Sequence, residues 1–135
     1  MKILVIGKGG REHALAYACK RSALCDELIC APGNPGMAKI GECVDVKDND
    51  VEGLVALAKE RNVDLTIVGP EATLALGVVD AFKKEGLKIF GPDKKATQVE
   101  SSKDFAKNIM AKYNIPTAAY KTFHDLDSAW TYVQE

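Results

Sequence analysis

Apolar positions along this chain recur with two different periods. Ile3-Leu4-Val5-Ile6, Leu28-Ile29-Cys30, Leu65-Thr66-Ile67-Val68 and Leu87-Lys88-Ile89-Phe90 are short runs rich in β-branched residues, each closed by glycine or proline. Such runs suit strands covered on both faces, where no polar alternation is required. Between them the period lengthens to that of a helix. Val51, Leu54, Val55 and Ala58 repeat at i, i+3, i+4 and i+7 behind Asn49-x-x-Glu52, which predicts a capped helix start. Leu74, Val78, Ala81 and Phe82 make a second stripe that ends before Gly86 and predicts one further helix.

Strands that alternate with helices of this length predict right-handed βαβ crossovers, because a tight hairpin cannot join parallel neighbours. The expected class is α/β, with a doubly wound, Rossmann-like parallel sheet. Ligands of such sheets sit at the C-terminal ends of the strands, and the unusual residues gather at those ends. The first run leads into Gly7-Lys8-Gly9-Gly10-Arg11-Glu12-His13, the second into Ala31-Pro32-Gly33-Asn34-Pro35-Gly36, and the third into Gly69-Pro70-Glu71. Glycines at 7, 9 and 10 let backbone N–H groups approach an anion, and a helix starting near Arg11 adds its partial positive end. That helix end contributes only ~0.3–2 kcal/mol, so Lys8 or Arg11 is expected to supplement it. A phosphate suits the position. A dinucleotide fingerprint would place a third glycine where Glu12 stands, and no acid closes the second strand, which argues against a nicotinamide cofactor.

Composition narrows the classes. With 135 residues, 47% of them hydrophobic and 27% charged, the chain belongs with globular proteins and is long enough to hold a core without cross-links. Lys and Arg number 18 against 19 for Asp and Glu, so no basic stripe points to nucleic acid. The four cysteines, Cys19, Cys25, Cys30 and Cys43, form no C-x-x-C pair and no zinc pattern with histidine, and read as reduced thiols mostly in the core. No metal ligands are assigned. The apolar run at the N-terminus is shorter than the ~7–15 residues of a signal-peptide core, and no stretch approaches the ~18 of a membrane span. A cytoplasmic protein without membrane contact is expected.

The segments GKGGREHALA (7–16), APGNPG (31–36), VDLTIVGPEATLALGVVDAF (63–82), GLKIFGP (86–92) and SSKDFAKNIMAKYNIPTAAY (101–120) resemble the glycinamide ribonucleotide synthetase family in order and spacing. Minor departures are Lys8, where that family often has a small residue, and Thr73, where it often has proline. The resemblance implies a pre-ATP-grasp Rossmann-like domain over residues 1–100, followed by the truncated start of an ATP-grasp domain over 101–135, opening with a helix, a strand and a helix. It also implies an ATP-dependent ligase: glycine is activated to glycyl phosphate and attacked by the amine of 5-phosphoribosylamine, giving glycinamide ribonucleotide, ADP and phosphate. Its partners would be those small molecules and the rest of the ATP-grasp polypeptide. ATP and magnesium, or manganese in its place, would serve the full-length enzyme, with neither expected on this portion and no catalytic residue within it.

The binding residues so implied are Gly7, Gly9, Gly10, Arg11, Glu12, Asn34, Pro70 and Glu71, with Lys103 toward the ATP phosphates. Two readings stand for several of them. Glu71 accepts from the sugar hydroxyls or the amine, or is an ordinary acid at a helix start. Asn34 contacts substrate or stabilises its own turn. Arg11 reaches the phosphate while Glu12 orients it through an ion pair. Lys103 meets the nucleotide or is simply solvated. His13 reads as a helix residue rather than a general base, and His124 as surface. Phe105, Ile109 and Tyr113 behind Ser101-x-x-Asp104, and Leu126, Ala129, Trp130 and Val133, form apolar stripes expected to be partly exposed, the second running on as though the polypeptide continued. Two other classes stay open: a nucleotide-binding oxidoreductase domain, and a noncatalytic phosphate-binding or interaction module.

Overall fold

The computed structural model describes residues 1–134. In chain order the elements are β1 (Lys2–Gly7), α1 (Gly10–Lys20), β2 (Glu27–Pro32), a 3-10 turn (Met37–Lys39), β3 (Glu42–Cys43), α2 (Val51–Glu60), β4 (Leu65–Val68), α3 (Glu71–Leu76), α4 (Val78–Lys84), β5 (Ile89–Phe90), α5 (Lys94–Ser101), α6 (Lys103–Lys112) and α7 (Leu126–Gln134). The chain divides into two compact units, Met1–Ser101 and a second that begins at Ser102. Among the described residues no helix is long and apolar enough to cross a membrane.

In the first unit all five strands are parallel, in the order β3-β2-β1-β4-β5. Strand β1 is central, pairing Ile3 with Leu28 on one side and Leu65 on the other. Successive side chains of a strand point to opposite faces, and β1 uses both. Ile3 and Val5 join Ala16, Leu28, Cys30 and Met37 beneath α1, whereas Leu4 and Ile6 join Leu54, Leu57, Val78, Val79 and Phe82 beneath α2 and α4. The unbroken apolar run of β1 thus fills two cores at once, which is why it shows no alternation.

Several helix ends differ from the sequence expectation by one residue. Asp50, not Asn49, caps α2, its carboxylate accepting from the Gly53 amide at 2.9 Å. With Asp50 as cap, Glu52 falls one place short of the position needed to reach back, so no capping box forms. Ser102, not Ser101, caps α6 by accepting from the Phe105 amide at 3.3 Å. The single helix expected over Leu74–Phe82 is two, because Gly77 adopts φ 93°, a left-handed conformation that ends α3 and starts α4. α4 then closes with amide-to-carbonyl bonds from Gly86 to Lys83 and from Leu87 to Phe82, the pattern of a Schellman stop. Leu87 is thereby held in the cap, and strand β5 starts only at Ile89. α2 and α6 stop in the same way, with Asn62 and Asn114 taking the left-handed position.

In the second unit, residues 115–123 lie along α6 without strand pairing. Lys107 Nζ donates to Thr117 and to the Ala118 carbonyl, and Thr122 donates to Asp104 at 2.7 Å. The strand expected there is absent among the described residues, because this extended segment has no neighbouring strand to share a ladder. Leu126, Trp130 and Val133 are 79%, 64% and 72% exposed.

Phe82 is fully buried and Leu24 is 68% exposed. Phe82→Ala is expected to cost about 3–5 kcal/mol of unfolding free energy, and Leu24→Ala less than about 0.5 kcal/mol. Urea unfolding followed by circular dichroism measures both; equal losses would mean that Phe82 is not part of the core.

Candidate functional site

β2, β1 and β4 are neighbours in the sheet, so their C-terminal ends lie side by side. The chain leaves β1 toward β2 on one side, while β4 and β5 build the other, which makes the β1–β4 boundary the switch point of the sheet. Backbone bonds fix the loops there: Gly33 N–H donates to Gly7 O, and Gly69 N–H donates to Ile6 O, each at 3.2 Å. The Asn34 amide donates to Lys8 O at 2.9 Å. The three loops singled out from sequence therefore meet at one edge.

The centre of that edge is Glu12, 5% exposed. Its Oε2 accepts the Gly9 N–H at 2.7 Å, and its Oε1 lies 3.3 Å from Arg11 Nε. Oε1 is buried and has no hydrogen-bond partner among the described residues. A Cβ added at Gly7 or Gly69 would run into the Glu12 side chain, and one at Gly9 would stand 2.7 Å from its Oε2. Gly7 also sits at φ +124°, reserved in practice for glycine. The Gly9 amide is thus held by an internal carboxylate. Gly10 differs, since a Cβ there would meet only open space. As the first residues of α1, Gly10, Arg11 and Glu12 have backbone N–H groups without an acceptor in their own helix.

Arg11 is shared between two carboxylates. Its Nη2 donates to Glu71 Oε2 at 3.1 Å while Nε faces Glu12. Glu71 opens α3 after Pro70, which is the cap residue in extended conformation, with its ring against Gly7. The Glu71 carboxyl is held below its ordinary value first by its own backbone N–H and then by Arg11. The Arg11 guanidinium is raised, chiefly by the hydrogen bond to Glu71 and next by the charge of Glu12. Both side chains are exposed, and solvent screens such a pair; its effect is to aim Arg11, more than to stabilise the fold.

Asn34 serves the turn. Its Oδ1 accepts from the Gly36 and Met37 amides at 2.8 and 2.9 Å, and its amide group is the one bonded to Lys8 O. His13 lies against Gly36, where a Cβ would strike its ring. The Cys43 thiol contacts Asn34 O at 3.7 Å. All four cysteines are free; Cys30 alone is fully buried, and burial followed by its neighbour Cys43 pushes its thiol up to about 12. Lys103 is exposed at the first position of α6, in the second unit.

Among the described residues no cluster of His, Cys, Asp or Glu has the makings of a metal site. A groove of about 400 Å³ between α2 and α4, lined in part by Val51, Val55 and Ala81, lies on the helix layer. The strand-end edge is where the chemistry converges. Sequence reasoning passed over Gly69, although the VGPE segment contained it; its need for glycine arises only from the approach of Glu12 from another loop.

A parallel sheet of this order, with a glycine-rich first turn and a helix N-terminus at its switch point, is a Rossmann-like fold. Residues 1–100 match the family description "Phosphoribosylglycinamide synthetase, N domain", and residues 101–135 match "Phosphoribosylglycinamide synthetase, ATP-grasp (A) domain". The chain belongs to the phosphoribosylglycinamide synthetase family. Relatives named phosphoribosylamine–glycine ligase include one from Brucella melitensis, 47% identical across all of this chain and 32% of its own length, and one from Lactococcus lactis, 54% identical across all of this chain and 33% of its own. The chain thus spans about a third of the curated relatives it matches. The crystal structure of phosphoribosylamine–glycine ligase from Thermotoga maritima superimposes with a TM-score of 0.63 at 25% identity, covering 90% of this chain and 27% of that one. A Mycobacterium tuberculosis structure described as glycinamide-RNase-transformylase T shares the fold with a TM-score of 0.75 at 20% identity, over 97% of this chain and 38% of the other.

Two outcomes are expected. Gly69→Ala forces a methyl group into Glu12 and is expected to destabilise by about 1–3 kcal/mol, whereas Gly10→Ala points into solvent and is expected to be neutral or stabilising by up to about 1 kcal/mol. Thermal unfolding of the pair decides, and a more harmful Gly10→Ala would refute the arrangement. Second, Glu71 titrates below its ordinary value, so its contribution to stability is complete above the unfolded carboxylate range and is lost as pH falls through the depressed value. In Arg11→Ala, carbon-detected NMR should find the Glu71 midpoint raised only part of the way, because the backbone N–H, the largest single cause of the lowering, remains. A full return to the ordinary value, or no change, would contradict this account.

Proposed function

We propose that this chain is the sugar-phosphate-binding portion of a phosphoribosylamine–glycine ligase, joining glycine to 5-phosphoribosylamine at the expense of ATP. One observation carries the reading: at the switch point of the sheet, the backbone donors of Gly10 and Arg11, the guanidinium of Arg11 and the carboxylate of Glu71 face the same edge. A 5-phosphate takes the two amides and the guanidinium, a combination of helix N-terminus and charge-assisted donor suited to a dianion. Glu71 then accepts from the ribose hydroxyls or the amine. Gly7, Gly9, Pro70 and Asn34 hold the loops that present these groups. The family membership and the names of relatives at 47–54% identity support the substrate.

In the complete reaction a glycine carboxylate oxygen takes the γ-phosphoryl group of ATP, the amine nitrogen attacks the resulting glycyl carbonyl, and phosphate leaves. A free amine needs little activation, so no general base is assigned here, and His13, packed on Gly36, keeps a structural part. ATP and a divalent ion, magnesium or manganese, would serve the complete ligase, where the ion would offset the charge of the transferring phosphoryl group. The described residues do not compose such an ion site. Lys103, exposed at the start of α6, is the residue of this chain assigned to the nucleotide phosphates.

In the full-length ligase, ADP formation is expected to require ATP, glycine and phosphoribosylamine together. Arg11→Ala should raise KM for phosphoribosylamine about ten- to a hundredfold, the equivalent of a charge-assisted hydrogen bond of about 1.5–3 kcal/mol. KM for ATP and glycine should stay within about twofold. Turnover with a different amino acid or ribotide alone, or an Arg11 effect confined to ATP, would defeat the reading.

A further inference from the structure

The spacing Gly7-x-Gly9-x-x-Glu12 reproduces a dinucleotide-binding turn except at its last position. In that turn the second glycine brings its backbone against a diphosphate and the third lets the helix pack close to the strand. The sheet order and the position of the turn after β1 are the same here. What differs is a carboxylate, 5% exposed, in place of the third glycine.

That carboxylate is seated, not merely tolerated. Gly7, Gly9 and Gly69, from two separate loops, each lack a Cβ where one would collide with it. Its Oε2 takes the Gly9 N–H at 2.7 Å, as the carboxylate half of a capping box on α1, on the glycine whose counterpart in a dinucleotide-binding turn lets the backbone approach a diphosphate. Its Oε1 remains without a hydrogen bond, facing Arg11 Nε at 3.3 Å. The side chain therefore occupies the Gly9 donor and leaves the Gly10 side of the turn open.

We infer that Glu12 is a specificity-determining residue: an internal carboxylate that takes the Gly9 amide a second phosphate would need and so restricts the site to monophosphates. The inference rests on the sugar-phosphate reading of this edge, and occupancy of the Gly9 amide is its physical basis. A neutral side chain of the same shape keeps the restriction; removal of the side chain lifts it.

Calorimetric titration of the chain with ribose 5-phosphate and with ADP-ribose tests this. Wild type and Glu12→Gln should both prefer ribose 5-phosphate. Glu12→Gly should gain about tenfold or more in affinity for ADP-ribose without an equal gain for ribose 5-phosphate, and Glu12→Ala, which preserves helix propensity, should do the same if the glycine variant does not fold. Equal gains for both ligands, no gain with a folded variant, or a gain in Glu12→Gln matching that in Glu12→Gly would each overturn the inference, the last because charge rather than occupancy would then be responsible. Wild type that binds no ribose 5-phosphate, beside a glycine variant that gains ADP-ribose, would remove the sugar-phosphate reading and leave the role of Glu12 standing.

Discussion

A buried carboxylate tied to a backbone amide organises the functional end of this protein. An ionised group taken out of water is costly unless hydrogen bonds and opposite charge compensate it. Glu12 obtains one short bond from Gly9, the charge of Arg11, and a place in the first turn of α1, where the helix favours negative charge. In return the glycine turn has one conformation, because its amide has one acceptor. The loops after β1 and β4 then close around the same side chain, through Gly7 and Gly69.

This local device depends on the sheet. Only because β1 lies between β2 and β4, and sends alternate side chains into separate cores, do the three loops emerge at one edge. The backbone bonds from Gly33 to Gly7 and from Gly69 to Ile6 extend the sheet by one step beyond each strand. Asn34 extends it once more through Lys8 O. The edge is thus built on the most buried part of the first unit, which lets exposed groups such as Arg11 and Glu71 hold a defined direction.

How much of this was legible in the sequence depends on whether its cause was local. The runs at Ile3–Ile6 and Leu65–Val68 announced buried strands because their burial on two faces leaves a composition that no other environment demands. Cap positions were missed by one residue at Asn49 and Ser101, since adjacent polar residues, Asp50 and Ser102, satisfy the same rule and only the backbone direction chooses between them. The stripe through Val78 hid the break at Gly77, because periodicity survives a single left-handed residue. The short strand β3 has no hydrophobic run of its own; it exists by pairing Glu42 and Cys43 with β2. At the site, the glycines were conspicuous but their purpose was not. Gly9 looks like a donor to a ligand until Glu12, three residues on, is found to hold it, and Gly69 acquires meaning only through that same distant contact.

Arg11 shows how the two kinds of charge at this edge are kept apart. Glu12 is permanently inside and Glu71 is exposed, yet the one guanidinium faces both. In the proposed sugar-phosphate reading, an incoming phosphate competes for Arg11 with each of them on unequal terms. It cannot displace Glu12, whose second oxygen is bonded to Gly9 and whose seat is walled by glycines. Glu71 it can displace, because a solvent-screened pair is worth little and a phosphate dianion offers more charge and more acceptors. The displaced carboxylate remains at the start of α3, its backbone N–H still lowering its pKa and keeping it ionised. On that reading, anion capture at α1 frees a hydrogen-bond acceptor beside it, and a ligand that carries donors next to its phosphate, as the proposed sugar phosphate does, gains from both events where inorganic phosphate gains from one.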